Sequence, residues 1–191
     1  MKNDGSATVW VRKLGDCWFA VALSNEGKLV GSTFSRIGES DVRTSLDYDL
    51  RMYDRVESQP DPHADRLIQT LHEMYQGKPV SLDVELDMRF VTPFHRTVYR
   101  KTGQIPRGQV TTYGLIARSL GSVKLSRAVG HANAANPFVL VVPCHRVVPW
   151  TLEVGNYGRG PQLKRELLKR EGVSFEGMKV SESSIWTPPQ G

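Results

Sequence analysis

The sequence contains little cysteine and no long apolar run. Its 191 residues include only two cysteines, Cys17 and Cys144, too few for a disulfide framework or for a zinc site built from several cysteines. No stretch approaches the roughly 20 apolar residues that cross a bilayer, and the first residues lack the apolar core of a secretory signal. With 39% hydrophobic and 24% charged residues, the composition predicts a soluble, intracellular globular protein with one large domain or two small ones.

Acidic and basic residues are divided unequally along the chain. Residues 1–90 contain 11 Lys and Arg against 15 Asp and Glu, a net charge of −4, whereas residues 91–191 contain 14 against 5, a net charge of +9. A basic half joined to an acidic half is typical of a protein whose basic segment meets a polyanion. A solvated basic surface without such a partner explains the charge alone equally well.

The first part of the chain predicts a small α/β domain over residues 1–85. Its apolar runs, separated by turn residues, predict an antiparallel meander followed by helices. The predicted strands lie at 7–12, 17–23 and 28–34, and the predicted helical segments at 41–53 and 62–75. This domain shows no catalytic group of residues, and residues 86–91 are predicted to be a connector.

Short helices dominate the second predicted domain, residues 92–177. Thr92 and Thr112 each stand where a side-chain oxygen can cap the start of a helix, and a third helix is predicted over 123–135. Three short helices with a tight turn between the last two are the outline of a helix-turn-helix. Residues 178–191 contain two prolines and little apolar content, which predicts a loose tail.

The predicted third helix contains an interior glycine, Gly130. Glycine at such a position costs about 1 kcal/mol relative to alanine, so a packing or functional reason is needed. Helical spacing places Val129 and Ala132 on one side of the helix. The other side combines small residues with one arginine, at Arg127, Gly130, His131 and Ala134. Such a face permits tight packing against another helix or, beside a basic helix-turn-helix, close approach to a nucleic-acid groove.

A cysteine and a histidine are adjacent at Cys144 and His145, after the apolar run 138–142. Burial keeps a thiol protonated, but a neighbouring imidazole can accept its proton and leave a nucleophilic thiolate. Adjacent residues of an extended chain point to opposite sides, so the pair can cooperate only if the backbone bends, and Pro143 makes a bend plausible. Taken in isolation, the pair is more typical of a buried structural cysteine beside a surface histidine.

The segment around Cys144 is not isolated, and it resembles a known family. The element Pro143-Cys144-His145-Arg146-Val147 resembles the acceptor-site signature of the O6-alkylguanine-DNA alkyltransferases, also called methylated-DNA–protein-cysteine methyltransferases. Further family motifs occur in order, at Ile105-Pro106-x-Gly108-x-Val110-x-x-Tyr113, Arg127-Ala128-Val129-Gly130, Asn136-Pro137, Gly155-Asn156-Tyr157 and Lys164-x-x-Leu167-Leu168-x-x-Glu171-Gly172. The resemblance covers about residues 92–172, while residues 1–90 agree only in the predicted type of domain.

The resemblance implies both a fold and an activity. The fold would be an α/β N-terminal domain, ribonuclease H-like with an antiparallel sheet plus helices, followed by a mainly α, winged helix-turn-helix C-terminal domain. The activity would be irreversible, single-turnover transfer of an alkyl group from O6-alkylguanine in double-stranded DNA to a cysteine. We expect no cofactor, no metal, no membrane partner and no nucleotide cofactor. We also expect a monomer when free, in the cytoplasm or, in a eukaryote, the nucleus.

The resemblance also implies catalytic roles for five residues. Cys144 would be the acceptor, His145 would take its proton through water, and Glu171 would orient and charge-stabilise the imidazole, as in the nucleophile, base and orienting group of hydrolytic triads. Tyr113 would donate a hydrogen bond to the base ring, and Asn136 would hold the turn between the recognition helix and the active-site strand. Without the resemblance, Glu171 would be interpreted as one partner of a surface ion pair.

A pocket for an extruded guanine follows from the same resemblance. Tyr157 would line this pocket, and the carbonyl groups of Cys144 and Val147 would accept hydrogen bonds from the exocyclic amine. The backbone N–H of Gly158 would face O6, and Lys164 would belong to the substrate-binding residues. Matching buried donors and acceptors to the Watson–Crick edge is how flipped bases are recognised.

The implied DNA contacts lie mainly on the third helix. Arg127 would fill the gap left in the base stack while Ala128 and Gly130 lie in the minor groove, and Tyr113 would also contact DNA. This role would explain the interior glycine, the single arginine and the basic half together. His131, Asn133 and Ala134 occupy helix positions that vary in the family. Members of the family can carry a cation that contacts a phosphate group at these positions.

Three other functions remain compatible with parts of the sequence. A non-catalytic alkyltransferase-like lesion-binding protein would share the fold, but such proteins replace the acceptor cysteine. A helix-turn-helix regulator would need long polar side chains on the third helix, which are scarce here. A cysteine hydrolase would use the same nucleophile and base but would turn over many times.

Overall fold

The computed structural model describes residues 5–189 and divides the chain into two compact units. The first unit contains the residues up to Tyr75 together with Val80–Val91 and Pro137–Val141. The second contains Gln76–Pro79, Thr92–Asn136 and the residues from Val142 onward. Residues 1–4 of the predicted first domain lie outside the described residues. So do residues 190–191 of the predicted tail.

A four-stranded sheet forms the centre of the first unit, in the order β3-β2-β1-β4. The predicted meander is confirmed, because β1 pairs antiparallel with β2, and β2 with β3. The sequence did not predict β4, which pairs parallel with β1; its three residues are all exposed, so they carry no apolar alternation. The strands are β1 (Ser6–Leu14), β2 (Cys17–Ser24), β3 (Leu29–Ser35) and β4 (Asp54–Val56).

Two helices cover the two faces of this sheet, namely α1 (Glu39–Asp49) and α2 (Pro62–Tyr75). Ala20 of β2 is buried in a cluster with Leu46 of α1, while the neighbouring Phe19 contacts the ring of Tyr75 of α2 edge-on. Successive residues of a strand point to opposite faces, so β2 is buried on both sides. The helix predicted over 62–75 has these bounds in the structure.

Two segments distant in sequence complete the first unit by pairing with β3. Ser32 donates its backbone N–H to Pro137, and Val139 donates to Ser32. Leu29 pairs in the same way with Glu85 and Asp87. The boundaries predicted from the sequence therefore differ from the compact units, since 137–141 follows the third helix in the chain yet packs with the first unit.

Short helices and two-residue strands build the second unit. The predicted caps are confirmed, because Thr92 accepts from the backbone N–H of His95, and Thr112 accepts from that of Leu115. The predicted third helix is divided into a 3₁₀ turn, Val123–Leu125, and α5. The helices are α3 (Pro93–Gly103), α4 (Tyr113–Ser119), α5 (Ser126–Ala134) and α6 (Pro161–Arg170).

Two small strand pairs frame the core of the second unit. The parallel pair consists of β5 (Thr111–Thr112) and β6 (Val147–Val148), and the antiparallel pair of β7 (Phe175–Glu176) and β8 (Lys179–Val180). The apolar cluster between them fixes the strand that follows the Cys144 turn, and it includes Val110, Val148, Leu168, Val173 and Val180.

The prediction of a loose tail after Gly177 is wrong over residues 179–186. Val180 is buried and donates its backbone N–H to Leu152, and Trp186 donates to the carbonyl of Val110. Val110 in turn donates to Ser184. Backbone hydrogen bonds hold this segment in addition to the buried Val180, and such bonds are not visible in its apolar content.

Two features are absent from the part of the chain between residues 5 and 189. None of its helices combines the length and the apolar character that crossing a bilayer requires. No three of its His, Cys, Asp or Glu side chains are grouped in a way that could hold a metal ion.

Candidate active site

A sharp bend places Cys144 at the start of a 3₁₀ turn, Cys144–Arg146. Pro143 has φ −79° and ψ 62°, and the backbone N–H of Cys144 donates to the carbonyl of Val142 at 2.8 Å. These dihedral angles and this bond define an inverse γ-turn. The bend that the Cys-His pair needs is therefore present at Pro143, as predicted.

The Cys144 side chain is buried, with 9% of its surface exposed. Burial raises the pKa of the thiol, while a hydrogen bond from Asn136 and the positive charges of Lys164 and Arg159 act in the opposite direction. The balance leaves the pKa above its ordinary value, so the resting group is a thiol. A base must accept its proton before the sulfur can attack an alkyl carbon.

His145 supplies a candidate base beside this thiol. Its ring is buried, and Nε2 lies 2.9 Å from Oε1 of Glu171. A carboxylate can only accept, so Nε2 donates in this contact and Nδ1 is the ring nitrogen left to accept a proton. Among the described residues, Nδ1 is buried and has no hydrogen-bond partner. The ring is therefore oriented by Glu171, with its basic nitrogen available.

Arg146 holds Glu171 from the other side, a role that the sequence did not predict. Nε of Arg146 lies 2.8 Å from Oε2 and Nη2 lies 2.9 Å from Oε1, a bidentate pair. Its third nitrogen, Nη1, donates to the carbonyl of Ile105 at 2.7 Å. Burial alone would raise the pKa of Glu171, but the charges and hydrogen bonds of His145 and Arg146 lower it to about 2. Glu171 is therefore a carboxylate buried in an ion network and not a partner in a surface ion pair.

Lys164 projects from α6 and is 1% exposed. Its Nζ donates to the carbonyl of Val147 at 2.7 Å, and burial lowers the pKa of the ammonium group to about 8. The Val147 carbonyl, expected to accept from a guanine amine, thus already accepts from Lys164. A carbonyl oxygen has two lone pairs, so one acceptor position remains.

Two tyrosines are placed on either side of Cys144 in the sequence. Tyr113 begins α4. Burial raises the pKa of its phenol, and the charge of a Cys144 thiolate would raise it further. Burial also raises the pKa of Tyr157, and the hydroxyl of Tyr157 is buried without a hydrogen-bond partner in the described part of the chain. Gly158 follows it in an open loop where an added Cβ would contact nothing.

Asn136 closes the segment after α5. Its side-chain Nδ2 donates to the carbonyl of Val142 at 2.8 Å. The same residue hydrogen-bonds the thiol, so it fixes both the entry to the γ-turn and the sulfur. Asn136 thus links the segment after α5 to the turn that precedes Cys144.

The helix α5 has the two sides that the sequence predicts. Val129 and Ala132 are buried, whereas Arg127 and Ala128 are exposed. Asn133 is also buried: its Nδ2 donates to Val129 and its Oδ1 accepts from Thr102. The Asn133 amide is therefore bonded within the second unit and is not part of the exposed side of the helix.

A family model and curated relatives match the same part of the chain. The model for the DNA-binding domain of 6-O-methylguanine DNA methyltransferase matches residues 93–173. A methylated-DNA–protein-cysteine methyltransferase of Mycobacterium tuberculosis is 37% identical over 137 residues, which are 70% of this chain and 82% of the relative. One from Saccharolobus solfataricus is 43% identical over 101 residues, 53% of this chain. The match spans 64% of the length of that archaeal relative.

Solved structures extend the similarity over both units. The O6-methylguanine-DNA methyltransferase of Pyrococcus kodakaraensis is 30% identical with a TM-score of 0.67, covering 87% of this chain and 99% of that one. The Mycobacterium tuberculosis OGT in complex with DNA is 28% identical with a TM-score of 0.66, covering 86% and 92%. The fold and the relatives define a protein of the alkylguanine methyltransferase class. The chain belongs to the methylated-DNA–protein-cysteine methyltransferase family.

Proposed function

We propose that this protein repairs DNA by moving the alkyl group of O6-alkylguanine to Cys144 in a single turnover. The observation that carries the proposal is the buried Cys144 thiol, next in sequence to an imidazole that Glu171 holds through Nε2 at 2.9 Å. His145 accepts the thiol proton at Nδ1, through water. The sulfur attacks the alkyl carbon, the S–C bond forms, and the bond from that carbon to O6 breaks. The product is a thioether, which is not hydrolysed, so each molecule acts once.

The leaving guanine carries negative charge unless it is protonated. Tyr113 and Tyr157 are phenols whose pKa values are raised, so both are neutral donors. We assign Tyr113 as the donor to the base ring and Tyr157, whose hydroxyl is unpartnered among the described residues, as a pocket residue. The carbonyls of Cys144 and Val147 and the N–H of Gly158 complete the recognition of the base. Side chains, backbone and one water molecule supply every group in this scheme, so the proposed reaction requires no cofactor.

Each unit receives a separate role in this proposal. The first unit is a ribonuclease H-like support domain, a view supported by its mixed four-stranded sheet with a helix on each face. The second is a winged helix-turn-helix domain that binds DNA and carries the acceptor. The helices α4 and α5 with the 3₁₀ turn between them support this assignment, and the hairpin of β7 and β8 is the candidate wing.

Double-stranded DNA is the proposed partner. Its binding face is α5, where Arg127 and Ala128 are exposed beside Gly130, and the net charge of +9 over residues 91–191 favours a polyanion. Arg127 fills the space left by the extruded base, while the small residues let the helix enter the minor groove. A protein with this substrate works where the genome is, in the cytoplasm of a prokaryote or the nucleus of a eukaryote.

Intact-mass spectrometry tests the proposal directly. After incubation with duplex DNA that contains one O6-methylguanine, we expect the mass to increase by a single methyl group. Peptide mapping should place that group on Cys144. A methyl group on Cys17, which is 0% exposed, would contradict the assignment, as would unmodified protein beside repaired DNA.

A Gly130→Ala substitution distinguishes a DNA-contacting helix face from tight helix packing. An added methyl group would meet only the ring of Tyr113, at 3.8 and 4.0 Å, which is ordinary contact. Alanine favours a helix interior by up to about 1 kcal/mol, so denaturant unfolding should show a protein at least as stable as the wild type. The Kd for lesion DNA should rise roughly tenfold, because the methyl group holds the helix away from the groove. A destabilised variant with unchanged Kd would show that the glycine serves packing.

A further inference from the structure

The turn between α3 and β5, residues 105–108, contacts the end of α6, which Glu171 follows. Its first residue, Ile105, accepts a hydrogen bond from Arg146, the residue that holds the Glu171 carboxylate. Its last residue, Gly108, lies so close to the backbone of Glu171 that an added Cβ would be 3.3 Å from the carbonyl oxygen. One turn therefore contacts both the ion network and the backbone of the proposed orienting residue.

Arg107 of this turn binds the last carbonyl of α6. Its Nη2 donates to the carbonyl oxygen of Arg170 at 3.2 Å, and its Nε donates to the carbonyl oxygen of Gly77 at 2.7 Å. The final carbonyls of a helix lack partners within the helix and carry partial negative charge. A guanidinium from another segment therefore caps α6 at the residue that precedes Glu171.

Gly77 lies directly against the same peptide group. Its φ is +79°, and an added Cβ would overlap the carbonyl group and the Cβ of Arg170. Only glycine fits such a backbone conformation at such close approach. The Arg170 carbonyl is thus enclosed by the Gly77 backbone and bound by the Arg107 guanidinium.

We propose that Arg107 is a positioning residue that fixes the end of α6 and, through it, the carboxylate of Glu171 against His145. The effect on catalysis rests on the proposed function. The geometry rests on the contacts of Arg107 with the Arg170 and Gly77 carbonyls and of Gly108 with the Glu171 carbonyl. Both hydrogen bonds that Arg107 makes within the described residues go to backbone carbonyl groups, of Gly77 and Arg170. Arg107 restrains the peptide group before the Glu171 Cα by binding the Arg170 carbonyl. Its neighbour Gly108 packs against the carbonyl group after that Cα.

Single-turnover kinetics with Arg107→Ala test this inference. We expect the maximal rate of methyl transfer at saturating lesion DNA to fall on the order of tenfold, since a small displacement of a positioned group slows the reaction step. The Kd for DNA should stay within about twofold of the wild type. Lys169→Ala is the matched control, because Lys169 is an exposed cation of the same helix terminus, and it should leave the maximal rate unchanged.

A double-mutant cycle shows whether Arg107 acts through Glu171. In a Glu171→Gln background, Arg107→Ala should change the maximal rate less than twofold, because the group it positions is already removed. An equal loss in both backgrounds, a loss confined to Kd, or the same loss in Lys169→Ala would overturn the inference. If Arg107→Ala folds poorly, Arg107→Gln keeps a donor for one carbonyl and should show a smaller loss of the same kind.

Alkylation of Cys144 by iodoacetamide without DNA separates this inference from the proposed function. The rate, followed by mass spectrometry of the Cys144 peptide, depends on the base beside the thiol and not on lesion recognition. Arg107→Ala should slow it several-fold relative to both the wild type and Lys169→Ala. A wild type that transfers no methyl group would contradict the proposed function alone, whereas unchanged iodoacetamide rates would overturn the role of Arg107.

Discussion

Replacing Cys144 with serine is expected to reduce methyl transfer to background, a loss of at least about 10⁴-fold. A serine hydroxyl at the same position is far less acidic than a thiol and a poorer nucleophile toward an alkyl carbon. Cys144→Ala should behave in the same way. The measurement is transfer of radiolabelled methyl from O6-methylguanine DNA to protein under single-turnover conditions.

Both Cys144 variants should still bind lesion DNA, because the contacts of α5 do not involve the thiol. Cys17→Ser is the control: Cys17 lies in β2 with its sulfur donating to the carbonyl of Ser35, and its replacement should leave the transfer rate unchanged. Residual transfer in Cys144→Ser above that of heat-denatured protein would show that the acceptor lies elsewhere.

Glu171→Gln is expected to reduce the transfer rate by up to about 10⁴-fold, the loss seen when the orienting carboxylate of a hydrolytic triad is replaced by its amide. The amide can present its oxygen or its nitrogen to His145, and neither stabilises the imidazolium that forms when the thiol proton is accepted. It also leaves Arg146, which is 14% exposed, without its bidentate partner. Stopped-flow transfer kinetics with the variant and the wild type measure the loss.

The same substitution should change the dependence of stability on pH. The pKa of Glu171 is lowered from 4.5 to about 2, so the carboxylate contributes stability that is fully present above about pH 4.5 and lost as the pH falls through 2. This shift corresponds to about 3 kcal/mol. Denaturant unfolding should therefore show a wild type about 3 kcal/mol more stable than Glu171→Gln at pH 7, with the difference vanishing near pH 2. A difference that is the same at both pH values would contradict the buried ion network.

The sheet of the first unit and the helix caps of the second could be predicted from local signals. Turn residues between apolar runs marked β1 to β3, and Thr92 and Thr112 marked the starts of α3 and α4. The strand β4 could not be predicted, because its three residues are exposed and its place in the sheet depends on pairing with β1, a segment about 50 residues away. The pairing of residues 137–141 with β3 was equally hidden, since it depends on two segments more than 100 residues apart.

The candidate site was predictable only in part, for a similar physical reason. The bend at Pro143 follows from the proline itself, and the two sides of α5 follow from helical spacing. In contrast, the contact between His145 and Glu171 joins residues 26 positions apart, and only the family resemblance placed them together. Arg146 belongs to the motif Pro143-Cys144-His145-Arg146-Val147. Its bidentate contact with Glu171, however, depends on the 3₁₀ turn that begins at Cys144.

The central claim is that one cysteine accepts one alkyl group and keeps it. Titration of a fixed amount of protein with a large excess of O6-methylguanine duplex tests it most directly, with restored guanine counted over time. Repair is expected to stop at one guanine per protein molecule, and no activity should return after prolonged incubation. Continued repair beyond that equivalence, as a cysteine hydrolase would show, or binding of the lesion without any restored guanine would contradict it.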